Sequence, residues 1–90
     1  MKVIILDGKQ MQTKEALYRH LQRALSLPPY FGNNLDALWD VLNETTEQTV
    51  IEFLNPEAAV KNLEGYGEKF IQLLKTLEKN NDLYTIQFSS

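Results

Sequence analysis

Ninety residues with no cysteine, twelve Asp and Glu against nine Lys and Arg, and a net charge of −3 at pH 7 already narrow the possibilities. The length suits one domain, residues 1–90, burying one core without metal or disulfide staples, and the missing thiols exclude a disulfide framework, a zinc–thiolate cluster and a cysteine nucleophile. An acidic chain of ordinary composition, 43% apolar and 23% charged, also argues against nucleic-acid binding, which needs Lys and Arg to neutralise phosphates.

Val3-Ile4-Ile5-Leu6 is a β-branched apolar run closed by Asp7-Gly8, which predicts a strand buried on both faces. The run is too short for a signal-peptide apolar region or a bilayer span, so a soluble, cytoplasmic protein with no membrane partner is expected. Thr13 stands where an N-cap belongs. Leu17, Leu21, Ala24 and Leu25 follow at helical spacing, with Arg19, Gln22 and Arg23 on the solvent side. Pro28-Pro29 is expected to end this helix or to forbid its continuation, because proline lacks an amide proton and restricts the residue before it.

Asn33 or Asn34 can cap a second helix, whose stripe Leu35, Leu38, Trp39 and Leu42 falls at i, i+3, i+4 and i+7. Thr49 to Leu54 reads as a strand. Asn55-Pro56 then offers a capping side chain before a first-turn proline, opening a third helix to Leu63 that Gly65-Tyr66-Gly67 is expected to break. A fourth helix turns Phe70, Leu73, Leu74 and Leu77 inward and stops at Asn80-Asn81. Leu83 to Phe88 closes the chain as an edge strand with Tyr84, Ile86 and Phe88 on one face. Long helical crossovers favour parallel pairing. The expected fold is α/β, a small three-stranded parallel sheet with about four helices in the order β-αα-β-αα-β.

The charge is unevenly placed. From Ala24 to Val60 there is no Lys or Arg, while Asp36, Asp40, Glu44, Glu47, Glu52 and Glu57 bring the window to about −6 and leave the rest at about +3. At ~100° per residue Asp36, Asp40, Glu44 and Glu47 would share a narrow helical sector. Like charges so spaced cost roughly 0.2–0.5 kcal/mol per pair, only partly offset by Asp36 facing the positive end of the helix dipole. A solvated face is the ordinary explanation of such a run. The bare window and the aromatic loop beside it shift the balance toward a surface for a cationic partner. In that loop Tyr30 and Phe31 are either anchors for a partner or a local cluster holding the loop down, and Gly32 either takes a positive φ or admits a partner's close approach.

An enzyme is the principal rival. His20 is the sole histidine, and Ser26, Ser89 and Ser90 have no nucleophile-elbow context. Asp36, Asp40 and Glu44 could hold Mg²⁺, but such sites recruit substrate phosphates through Lys, Arg or a glycine-rich cradle, and Gly65-Tyr66-Gly67 is not a phosphate-loop pattern. No catalytic residue, metal or cofactor is assigned.

The run Leu27-Pro28, then Tyr30-Phe31-Gly32-Asn33-Asn34-Leu35-Asp36-Ala37-Leu38-Trp39-Asp40, resembles the signature of barstar-like inhibitors of a basic secreted bacterial ribonuclease. The likeness extends more weakly along the chain. The resemblance implies a monomer in a 1:1 complex, its loop and second helix plugging the ribonuclease active site, with Asp40 in a pocket built for substrate phosphate. It implies contacts from Tyr30, Gly32, Asn34 and Asp36, with Trp39 supporting the helix at the interface edge. Phe31, Leu35 and Glu44 complete the expected surface. The chain departs from the pattern at Pro29, where the family has an acid, at Phe31, where it has a tyrosine, and at Thr76, which stands at the family's second acidic contact beside Lys75; Glu78 inherits no role. The alternative is a non-inhibitory module that binds another basic protein through the same surface.

Overall fold

A computed structural model describes residues Met1–Pro28 and Phe31–Ser89. Three strands, β1 (Lys2–Asp7), β2 (Thr49–Leu54) and β3 (Tyr84–Ser89), form one sheet in the order β1-β2-β3, with both pairings parallel. The first crossover carries a 3-10 turn at Gly8–Gln10, then α1 (Lys14–Leu25) and α2 (Leu35–Leu42); the second carries α3 (Pro56–Leu63) and α4 (Gly65–Asn80). This is the expected β-αα-β-αα-β order.

Register decides which side chains meet. Ile4, Ile51 and Ile86 stand in one row and Leu6, Phe53 and Phe88 in the next. Ile4, Leu6, Thr49, Ile51, Phe53, Tyr84 and Ile86 are all buried. Alternate residues point the other way, because side chains along a strand alternate faces. Val3 and Ile5 on that other face are each 54% exposed. The sequence-based expectation that β1 is buried on both faces is therefore wrong. Helices cover one face of the sheet only, and β1 is an edge strand like β3. The molecule is correspondingly thin, with extents of 32 × 30 × 19 Å.

Between sheet and helices lie Met11, Leu17, Tyr18 and Leu21 from the first helical region, Leu38 and Leu42 from α2, Ala59 from α3, and Phe70, Leu74 and Leu77 from α4. Phe53 sits at the centre, its ring 5.7 Å from Phe70 and 5.8 Å from Phe88. Thr13 caps α1 as expected, its hydroxyl accepting from the Ala16 N–H at 3.0 Å. The prolines do not end α1, however. Ser26 does so two residues earlier, in a left-handed conformation (φ 53°, ψ 49°), with its N–H on Gln22 O.

Two further expectations need correction. Asn55 does not cap α3: it is left-handed (φ 51°) without a side-chain capping bond, and its Nδ2 instead donates to Asp7 Oδ1 at 3.1 Å. Gly65-Tyr66-Gly67 does not break the third helix either. Glu64 separates α3 from α4, and the glycines form the first turn of α4. Gly67 is there for space, since a Cβ on it would lie 2.7 Å from Ala59 O, where α3 and α4 touch.

Candidate functional site

The site is built on α2, and each end of that helix is fastened separately. At the N-terminus Asn34 adopts extended backbone and its Oδ1 accepts from the Ala37 N–H at 2.8 Å, satisfying one of the otherwise unpaired first-turn donors. Its Nδ2 donates to Gly32 O at 3.1 Å. Both ends of this amide are thus committed within the chain. Just before the cap Asn33 is left-handed (φ 49°), whereas Gly32 has no positive φ; of the two readings of Gly32, the conformational one fails. Gly32 is exposed.

Phe31 is 8% exposed and packs on Tyr18, ring centroids 6.0 Å apart. The Tyr18 hydroxyl in turn hydrogen-bonds that of Tyr66, and Lys14 Nζ lies 4.3 Å from the Tyr66 ring centroid. Burial pushes the Tyr18 phenol far above its ordinary range, so it stays a neutral hydroxyl. Phe31 is therefore a wedge seating the loop on α1. Pro29 and Tyr30 lie outside the described residues, so the anchor expected at Tyr30 is not placed.

Along α2, Leu38 and Leu42 are buried and Leu35 and Trp39 half-buried against the core, while Asp36 and Asp40 are exposed. Asp36 lies in the first turn, where the helix dipole favours a carboxylate. No basic residue occupies the last turn. The structure brings Asp36, Trp39 and Asp40 onto one short, buttressed element. It does not bring Glu44 and Glu47 onto it, because α2 ends at Leu42; the expected four-carboxylate helical sector is reduced to two, with both later glutamates exposed beyond the helix.

The stop is Asn43, which sequence reasoning passed over. Its backbone N–H and its Nδ2 both donate to Trp39 O, at 3.1 and 3.0 Å. Its Oδ1 accepts from Asn81 Nδ2 at 3.2 Å, tying the end of α2 to the end of α4. Beside it the Tyr84 hydroxyl donates to Leu42 O at 2.6 Å. An asparagine directly after the last apolar residue of the stripe was the available signal. The Thr76 hydroxyl on α4 accepts from Gln72 Nε2 at 3.4 Å and the Thr76 carbonyl accepts from Asn80 Nδ2 at 3.1 Å.

The arrangement presents two carboxylates on a helix locked at both ends, ready to accept charge-assisted hydrogen bonds from a cationic surface. Comparison with known proteins places the whole chain. The family model for barstar, described as a barnase inhibitor, matches residues 1–89. This chain belongs to the barstar family. That family is one of inhibitors rather than enzymes. The chain is also 48% identical over 42 residues to a Bacillus subtilis (strain 168) protein named "Putative ribonuclease inhibitor YrdF", an alignment covering 47% of this chain and 46% of that protein. The match thus spans about half the length of the curated relative. Among the described residues no helix is long and apolar enough to cross a membrane.

Proposed function

We propose that this barstar-family chain inhibits a basic, barnase-type ribonuclease by inserting the acidic edge of α2 into the enzyme's active site, as a monomer in a 1:1 cytoplasmic complex. The observation that carries this reading is the exposed Asp36–Asp40 pair on a helix whose cap, core stripe and C-terminal asparagine leave it little freedom. A ribonuclease site is lined with cations that hold phosphate. A carboxylate placed there in advance replaces the phosphate without paying again for side-chain ordering. Asp40 is the prong that enters the phosphate pocket, and Asp36 sits one turn behind it. Gly32, Leu35, Trp39 and Tyr30 frame the contact; Asn34 and Phe31 hold the loop in shape; Glu44 contributes to the field from beyond the helix.

The test is RNA cleavage by a panel of basic ribonucleases with purified protein added. Stoichiometric inhibition of at least one is expected. Asp40→Ala should weaken that complex by at least about 2 kcal/mol while the denaturation midpoint stays within experimental error, because an exposed acid among like charges adds little stability. Failure to inhibit any member of the panel, with a basic non-nuclease protein binding α2 instead, would replace this reading with that of a non-inhibitory module.

A further inference from the structure

Away from α2 the chain builds a second polar site of the opposite sign. A cavity of about 200 Å³ opens between the 3-10 turn and α1, lined by Lys9, Gln10, Gln12, Arg19, His20 and Arg23. No carboxylate is among its lining residues. Glu15 lines adjoining grooves, one of them shared with Arg19, and Asp7 Oδ1 is occupied by the Lys9 N–H at 2.9 Å and by Asn55 Nδ2 at 3.1 Å.

The 3-10 turn beside the cavity is held in place. Gly8 is pressed so closely on the start of α3 that a Cβ would lie 2.0 Å from Asn55 O. The Met11 N–H closes the turn onto Gly8 O at 3.1 Å, and the Met11 side chain is fully buried behind it. His20 is anchored through its Nε2, which accepts the Asp7 N–H at 2.9 Å. A ring that accepts at Nε2 is neutral with its proton on Nδ1, so the donor that remains to it is Nδ1–H. Two guanidinium groups, an ammonium, two side-chain amides and an imidazole therefore line one opening, beside a turn whose backbone is already held in place.

From this we infer that the Lys9–Arg19–His20–Arg23 cavity is a binding site for a phosphate group, carried either as free inorganic phosphate or on a small phosphate monoester. Three permanent positive charges match a dianion better than a monoanion such as chloride, and guanidinium forks match the geometry of phosphate oxygens. The volume falls below the roughly 300–1,000 Å³ of sites for drug-sized ligands, which selects a small anionic head over a large apolar body. The site is independent of the ribonuclease reading, since none of its residues lies on α2 or in the loop before it.

The experiment is a titration of the uniformly ¹⁵N-labelled full chain at near-neutral pH, followed by amide and His20 ring NMR shifts. One arm uses sodium phosphate, one phenyl phosphate, and one sodium chloride at matched ionic strength. Saturable shifts confined to Lys9–Gln12, Arg19, His20 and Arg23 in either phosphate arm, and absent with chloride, are expected. Saturation by phenyl phosphate alone would assign the site to esters. The double variant Arg19→Gln, Arg23→Gln should raise the half-saturation concentration at least about tenfold with an unchanged amide spectrum elsewhere; Arg23→Gln alone gives the same direction if the double variant folds poorly. Shifts that stay linear with concentration, that match the chloride arm, or that survive the arginine substitutions would overturn the site.

Discussion

Glu64 occupies backbone territory that a side chain resists. Its φ of 52° and ψ of −126° lie where glycine alone is at ease. The position is held because its N–H must reach Val60 O (2.7 Å) to close α3 while its carbonyl receives the Glu68 N–H (3.1 Å) to open α4. Its side chain is exposed. Glu64→Gly should therefore raise stability by about 1 kcal/mol, the relief of strain outweighing glycine's greater freedom in the unfolded chain; a chemical-denaturation midpoint lower than the parent's would contradict it. His20 carries the opposite liability. Burial lowers its basicity first, Asp7 raises it, and Arg23 lowers it again, with Lys9 and Arg19 also lining its cavity. A histidine held neutral in the fold but free to protonate when unfolded gives stability that is full above the unfolded pKa of about 6.5 and declines as pH falls below it. Asp7, whose carboxyl is held low chiefly by Asn55, loses its contribution only as pH falls further, through its own lowered pKa. Between pH 7 and 5 unfolding should become easier, because protonation at Nε2 breaks the bond from the Asp7 N–H, and His20→Gln should flatten that slope in pH-dependent melting. Residues were legible where one local bond decides them. Thr13 and Asn34 each cap a partner three residues on. Asn55 was misread because the acceptor that claims its amide, Asp7, is 48 residues away.

At the scale of elements, periodicity placed all seven strands and helices but not every end. Thr49–Leu54 was legible in full because β-branched and aromatic residues fill most of it and Gln48 and Asn55 bound it. The end of α2 was not, because Glu44 and Glu47 continue an acceptable helical pattern and only the fold supplies the Asn81 and Tyr84 contacts that stop it. The two-sided burial expected of β1 failed for a related reason: an apolar run records what a strand can bury, not how many layers the chain has to cover it. Close approaches are equally silent in one dimension. Gly8 looks like turn punctuation after Asp7, yet its lack of a side chain lets the β1 terminus lie on Asn55. Gly8→Ala should destabilise by about 3 kcal/mol or more, since the obstructing atom is backbone rather than a yielding side chain. A thermal melt unchanged by this substitution would show that the turn can shift.

For the molecule as a whole, the dominant property is charge separation: the acidic stretch from Ala24 to Val60 against a basic remainder, five of whose cations fall within residues 1–23. The candidate site was legible from that asymmetry and from its aromatic-acidic run, whereas the basic cavity was not, since only the turn at Gly8 brings Lys9 and Arg23 to the same opening. A basic ribonuclease approaching α2 should be drawn in by a field that salt screens. Association measured by stopped flow should slow by roughly tenfold or more between about 0.01 M and 0.15 M ionic strength, while dissociation changes far less; equal sensitivity of both rates would point to contacts without steering. The parallel sheet has a different consequence. Lys2 must wait for Thr49, and Thr49 for Tyr84, before a ladder can form, so no hairpin is available to seed the sheet. A chain emerging from the ribosome keeps its first strand unmatched until Thr49–Leu54 is out, and α2 gains its brace from Tyr84 only once that residue has been translated.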